Sequence, residues 1–182
     1  MSKFTAIGCL LFFAAAIAEA DQISPYVAQQ QRELKALSPQ EVQQYLEGKG
    51  MGFAKAAELN HFPGPLHVLE LADRLQLTQE QKTQSEKIYS AMQSEAKALG
   101  ADLVDKEREL DRLFASADIE TVKLRVLIGE IGRLQATVRN AHLQAHLEQK
   151  AVLTQAQIAA YDELRGYASQ DASTHPHSSH NH

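Results

Sequence analysis

The segment "LTQEQ" at residues 77–81 is repeated almost unchanged as "LTQAQ" at residues 153–157. In each copy the threonine hydroxyl can cap the start of a helix, while the glutamine three residues later reaches back to the backbone N–H of that threonine. The residues predicted to form these two capping boxes are Thr78, Gln81, Thr154 and Gln157. A third version, "LSPQE" at residues 37–41, places Pro39 at the first helical position, where proline is favoured. Because a capping hydroxyl is already engaged with backbone donors, the motif predicts helix starts and not catalytic residues.

Between the two copies, the sequence has the periodicity of two long amphipathic helices. Residues 78–115 contain no proline and a single glycine, and their apolar side chains recur every three or four residues. These apolar positions are Ile88, Met92, Ala96, Leu99, Leu103, Leu110 and Phe114. A heptad seam follows, formed by Leu127, Ile131, Leu134, Val138, Ala141 and Ala145. The sequence therefore predicts an all-α fold, with Asp118 as the cap of the second long helix. The helices are predicted near 38–47, 66–76, 79–115, 119–152 and 155–168.

The chain divides into four segments by composition. Residues 1–20 have Lys3 before a short apolar run and end in the small-residue pattern Ala18-Glu19-Ala20, which predicts a signal peptide cleaved after Ala20. The alternative is lipid attachment at Cys9, which has a poor match to a lipid-attachment sequence around it. The other segments are an N-terminal arm with a short helix at 21–63, a helical domain at 64–168 and a His-rich tail at 169–182, predicted to be disordered.

Charge and residue types exclude several classes of function. The net charge is −5 and no basic patch is visible, which argues against nucleic acid as the main partner. Cleavage of the signal peptide removes the only cysteine, so the exported chain depends on core packing, metal binding or oligomerisation. No nucleophile–histidine arrangement, paired-carboxylate cleft or phosphate-binding loop is recognisable. The chain is therefore predicted not to be an enzyme.

Two longer segments carry a resemblance to a known family. They are "ELNHFPGPLHVLELADRLQLTQEQ" at residues 58–81 and "AHLQAHLEQKAVLTQAQIAAYDELRGY" at residues 141–167. With the doubled motif behind a signal peptide, they resemble the LTXXQ-motif, Spy/CpxP-like periplasmic family, which includes zinc-resistance-associated and heavy-metal-sensor-like members. The resemblance covers about residues 50–167.

The resemblance implies a periplasmic protein in which long bent helices form a hairpin, with shorter flanking helices, and pair into a dimer. It implies either an ATP-independent chaperone or envelope-stress adaptor, or a metal-binding sensor or buffer in heavy-metal resistance. Partners would be unfolded periplasmic proteins or an inner-membrane sensor, without stable membrane insertion. The residues themselves also favour a dimer, because Leu143 and Leu147 form a second apolar strip opposite the heptad seam, and this strip needs a partner surface. The first of the two functions is the one that the sequence favours.

His142 and His146 are four residues apart and project from one helix face, a spacing that can bind one metal ion. They lie between two apolar strips, so the competing interpretation is a pair of histidines at a helix or dimer contact. Further ligands would be needed, and Glu148 and Glu163 are candidates. A metalloprotease helix is excluded because Leu143, not glutamate, follows the first histidine. The metal-sensor-like relatives carry His-x-x-x-Met before the last helix, whereas here Lys150 occupies the methionine position, which argues against a nickel- or cobalt-type site.

The other histidines fall into two groups. His61 and His67 flank "FPGP" and are expected to be packed or exposed, not ligands. The tail contains His175, His177, His180 and His182. Neutral imidazoles in such a segment bind zinc, copper or nickel weakly and reversibly, and the alternative is a solvated tail without function. No cofactor is required in either case.

Overall fold

The computed structural model describes residues 23–117 and 119–167, and this part of the chain is helical throughout with no β-strand. After a short 3-10 turn at Gln29–Gln31 come six helices. They are α1 (Pro39–Leu46), α2 (Lys55–Glu58), α3 (Pro65–Glu70), α4 (Gln79–Ala115), α5 (Thr121–Val152) and α6 (Gln155–Arg165). The all-α prediction is confirmed. The predicted signal peptide and His-rich tail lie outside the described residues.

Helices α4 and α5 form a long hairpin, and the heptad seam of α5 faces α4. Five of its six residues are buried, and Leu134 is half-buried. The first hydrophobic cluster combines this seam with α4, α1 and the arm that precedes α1. Its fully buried members are Leu34, Tyr45, Leu103, Val104, Leu127, Ile131 and Val138. One apolar position was predicted wrongly: Phe114 is 58% exposed, because Leu110 and Leu113 occupy the packed face in the last turns of α4.

Helix α1 packs on α4 at a close backbone contact. A Cβ atom placed on Gly100 of α4 would overlap the carbonyl group of Tyr45. The chain then turns at Gly48, whose φ of +63° is accessible to glycine at little cost, and whose N–H donates to the Tyr45 carbonyl oxygen at 3.0 Å. Glycine at position 100 therefore sets the distance between the two helices.

A second hydrophobic cluster closes the other end of the hairpin. It contains Val68, Leu75, Leu77, Leu153, Ile158 and Tyr161, contributed by α3, α6 and the turns beside them. Leu153 immediately precedes the cap of α6 and is buried together with Ile158, as in a hydrophobic staple. The cluster anchors α6 against the start of α4.

The two Leu-Thr-x-x-Gln segments meet in this region. Thr78 and Thr154 each cap a helix, and both hydrogen bonds of a capping box are present in each copy. The two glutamine side chains also bond to each other: Gln81 Nε2 donates to Gln157 Oε1 at 2.8 Å, and Gln157 Nε2 donates to Gln81 Oε1 at 3.0 Å. The same Nε2 atoms donate to the carbonyl oxygens of Val152 and Leu75. The motif therefore joins the starts of α4 and α6 as well as capping each of them.

Several predicted boundaries were wrong. Helix α3 ends at Glu70, not near residue 76, because the chain turns over residues 71–76 and reaches a positive φ of 50° at Gln76. Helix α5 begins at Thr121 with Glu120 in the cap position and no side-chain cap, while Asp118 lies outside the described residues. Helix α6 ends at Arg165, since Gly166 is left-handed. The sequence interpretation also missed α2.

Among the helices of the described ranges, none is both long enough and apolar enough to cross a membrane.

Candidate functional site

The two histidines of α5 are buried inside the protomer, facing the segment that contains α2. His142 is 4% exposed, and its ring is stacked on Phe53 with 5.7 Å between ring centroids. Its Nε2 atom is buried and has no hydrogen-bond partner. Burial lowers the pKa of His142, with a smaller contribution from neighbouring His146, so this imidazole is held in the neutral form. Its surroundings are those of a packed core residue.

His146, one turn further along α5, has a different environment. It is 9% exposed, and its Nδ1 lies 2.7 Å from the carbonyl oxygen of Phe62. A carbonyl oxygen only accepts, so Nδ1 carries the hydrogen and Nε2 keeps its lone pair. Gly64 lies close to this side of the ring, where a Cβ atom would be 2.9 Å from Cε1 and 3.0 Å from Nε2. Lys150 occupies the position where the metal-sensor-like relatives carry methionine. Its ammonium lies 3.7 Å from the centre of the Phe62 ring.

Glu58, at the end of α2, brings a mostly buried carboxylate to the same place. Its Oε1 atom accepts hydrogen bonds from the hydroxyl of Tyr161 at 2.5 Å and of Tyr167 at 3.1 Å. The Nε of Arg165 lies 3.4 Å from the same oxygen. Burial, and then the Glu58 carboxylate, raise the pKa of Tyr161, so this phenol remains a donor. The other oxygen, Oε2, is buried without a hydrogen bond and is 3.7 Å from Nδ1 of His146.

The space beside Gly64 is bordered by two potential metal ligands. The position that a Cβ of Gly64 would occupy is 3.0 Å from His146 Nε2 and 3.5 Å from Glu58 Oε2. Both side chains also line a cavity of about 400 Å³ that includes His67, Arg165 and Tyr167. An imidazole lone pair and an unengaged carboxylate oxygen are ligands that zinc accepts. These two side chains are therefore the candidate ligands for a metal ion at this place.

The remaining predicted ligands do not join this pair. Glu148 and Glu163 are exposed, and Glu148 accepts a hydrogen bond from Gln144. His61 is 2.7 Å from Asp162, and His67 is 2.8 Å from Glu70. Within the described ranges no group of three or more His, Cys, Asp or Glu side chains is arranged to hold a metal ion. The tail candidates, from His175 to His182, fall outside the described residues.

Sequence reasoning missed Glu58 as a member of this site. The partners of its carboxylate are 103 and 109 residues away along the chain, so no spacing rule connects them. The available signal was the segment "ELNHFPGP", which combines an acidic residue, a histidine and a glycine between two prolines. Its Gly64 is the residue whose missing side chain leaves the space between the two potential ligands.

Comparison with known proteins adds one finding. A family model described as heavy-metal resistance matches residues 54–160, which is more than half of the chain. No curated protein and no solved structure matches the chain. The matched range runs from the start of the α2 segment into α6 and includes the hairpin, both Leu-Thr-x-x-Gln segments, Glu58 and His146. The chain belongs to the heavy-metal resistance family, within the Spy/CpxP-like group marked by the LTXXQ motif.

Proposed function

We propose that this protein is an exported, periplasmic and non-enzymatic component of heavy-metal resistance that binds one divalent transition-metal ion between Glu58 and His146. The observation that carries the proposal is the approach of two potential ligand atoms to Gly64: His146 Nε2, the nitrogen left free by the contact of Nδ1 with Phe62, and Glu58 Oε2, which is buried without a hydrogen bond. Membership of the heavy-metal resistance family also supports a metal-binding function. With only two protein ligands, the ion binds reversibly, as a sensor or buffer requires.

The residues around the pair have distinct roles in this proposal. The Phe62 carbonyl engages Nδ1 of His146 and so leaves Nε2 as the nitrogen that binds the ion. The hydroxyl of Tyr161 holds the carboxylate of Glu58 through the opposite oxygen. Contacts of this kind orient metal ligands and change affinity by about 10–100-fold when they are lost. The tail histidines supply separate and weaker sites for zinc, copper or nickel.

A zinc titration tests the proposed site. In the chain without residues 1–20, changing Glu58→Gln or His146→Asn should remove one stoichiometric site, because each change removes one of the two ligands. Calorimetry is the measurement, and a chain ending at Ala172 separates the tail sites from this one.

Matched controls are available on α5 and α6. Glu163→Gln changes an exposed carboxylate on α6, and His142→Asn changes the buried histidine next to Phe53. Both should keep the zinc site, provided that circular dichroism shows an unchanged fold. A site that survives in the Glu58 and His146 variants, or that is lost only with His142, would contradict the assignment.

We propose a second function, ATP-independent binding of unfolded proteins by a homodimer, on a different observation. The first half of α5 exposes Val122, Val126 and Ile128 at 69%, 57% and 48%. Phe114, across the hairpin turn, is also exposed, and Arg125 adds positive charge beside the valines. Val122 and Val126 are one helical turn apart and so share a face, and exposed apolar side chains with charged neighbours are typical of protein-binding surfaces. The same face is available for the second subunit.

This second function predicts that the chain suppresses aggregation of a denatured client without nucleotide. The double variant Val122→Ser, Val126→Ser should lose most of that activity, because it removes apolar side chains from the contact surface. Leu147→Ser is the matched control, since Leu147 is 52% exposed on α5 but lies away from this face. Light scattering measures suppression, and sedimentation measures the dimer. Equal suppression by both variants would exclude this surface as the client site.

A further inference from the structure

Glu58 holds the C-terminal end of the folded domain as well as bordering the proposed metal position. Its Oε1 atom contacts Arg165 and Tyr167, and Tyr167 is the last residue described before the His-rich tail. The Arg165 guanidinium also lies 5.9 Å from the centre of the Tyr167 ring. The backbone N–H of Tyr167 donates to the Asp162 carbonyl oxygen at 2.8 Å. One carboxylate therefore joins α2 to the residues that precede the tail.

We infer that Arg165 competes with a divalent cation for the carboxylate of Glu58, so that occupation of the proposed site and docking of the C-terminal end oppose each other. The inference rests on the proposed metal function and specifies how the site is regulated. Arg165 then sets the metal affinity of the site without being a ligand. Once released from Glu58, Arg165 no longer ties the end of α6 to α2.

The two hydrogen-bond donors to Oε1 and its ion-pair partner Arg165 differ in how they respond to a cation at Oε2. Tyr161 and Tyr167 are neutral, and a carboxylate has enough lone pairs to accept from them while its other oxygen binds a metal. Arg165 carries a positive charge, and like charges repel strongly at a site that is largely shielded from water. Glu58 is 13% exposed in its side chain and Arg165 is 31% exposed. The guanidinium is thus the group that leaves, since its side chain reaches solvent.

Tyr161 is expected to act in the opposite sense to Arg165. Its hydroxyl is part of a fully buried side chain and makes the shortest contact to Glu58. It positions the carboxylate whether or not Arg165 is present. Removing this hydroxyl should therefore weaken metal binding, whereas removing the charge of Arg165 should strengthen it. If Arg165 only supported the fold, removing its charge would weaken zinc binding, as removing the Tyr161 hydroxyl should. Zinc affinities that change in opposite directions in the two variants would therefore exclude a purely structural role.

The test uses the exported chain with His175, His177, His180 and His182 changed to serine, so that zinc reports on the folded site. Arg165→Gln should bind zinc about tenfold more tightly than this parent, a difference equivalent to about 1.4 kcal/mol. Arg74→Gln removes the same charge at an exposed turn position and should match the parent. Tyr161→Phe should bind more weakly. Calorimetry is the first measurement.

The second measurement follows the C-terminal end directly. Trypsin cleaves after arginine, so mass spectrometry can report the rate of cleavage after Arg165 with and without zinc. Thermodynamic reciprocity requires that zinc weaken the docking of Arg165 by the factor by which Arg165 weakens zinc binding. Zinc should therefore speed this cleavage in the parent and have no such effect in the His146→Asn variant. Cleavage after Arg74 is the internal control for effects on trypsin itself.

The outcomes separate this inference from the function on which it rests. If neither the parent nor Arg165→Gln binds zinc, the proposed metal site is wrong, and so is the competition between Arg165 and zinc for Glu58. If both bind zinc with equal affinity, or if zinc slows cleavage after Arg165, the site stands and the competition is wrong. Tighter binding by Arg165→Gln, together with faster cleavage in the parent, supports the competition.

Discussion

Replacing Gly100 with alanine should lower the free energy of unfolding by about 1–3 kcal/mol, the usual cost of forcing an extra group into a packed contact. The new Cβ would overlap the carbonyl group of Tyr45, which is backbone and cannot rotate away. Helix α1 must then move off α4 and expose part of the first hydrophobic cluster, to which Tyr45 belongs. Urea denaturation followed by circular dichroism measures the change.

Gly132→Ala provides a matched control on α5. A Cβ at Gly132 meets no atom within 4 Å, so the substitution introduces no overlap. Alanine is favoured over glycine inside a helix by about 1 kcal/mol, and the control should therefore be as stable as the parent or more stable. If Gly100→Ala were equally well tolerated, the close packing of α1 on α4 would not be a feature of the protein in solution.

The second large effect is expected at the paired glutamines. Gln81→Ala should destabilise the fold by about 1–3 kcal/mol, because it removes a helix cap and leaves the amide of Gln157 without one of its partners. Gln157→Ala should act similarly, since it removes the corresponding bonds to the backbone N–H of Thr154 and to Gln81. The two losses should not add, because residues that share hydrogen bonds are energetically coupled. A double-mutant cycle measured by urea denaturation gives the coupling energy.

Gln79→Ala and Gln155→Ala are the controls for this cycle. Each is the first residue of its helix and is exposed, so each change should stay within about 0.5 kcal/mol. Additive effects of the Gln81 and Gln157 changes would show that the two capping boxes act separately. The motif would then be only a pair of local helix caps.

Local rules were sufficient for much of the fold. The starts of α1, α4 and α6 follow from Ser38, Thr78 and Thr154, because each capping box is complete within four residues. The seam of α5 could be read from spacing alone, since burial on a helix repeats with its period. Phe114 was misplaced because α4 is near its end there and Leu113 competes for the packed face.

The candidate site could be predicted only in part. His146 was identified from its spacing to His142, but spacing does not distinguish the two environments. Which nitrogen is free depends on the Phe62 carbonyl, 84 residues away in the chain. Glu58 was missed because α2 is only four residues long and lies among glycines and prolines, where helical periodicity gives no signal. Such long-range pairings are decided by tertiary packing, not by local sequence.

The Gln81–Gln157 pair also has a consequence for the order in which the chain folds. Its members are 76 residues apart, so α4 and most of α5 can form before Gln157 is in place. Until then, Nε2 of Gln81 lacks the side-chain oxygen of Gln157. Closure of the folded domain therefore waits for the last thirty or so residues of the chain. A chain that ends before Gln157 would keep an open end, which proteases and chaperones of the compartment can recognise.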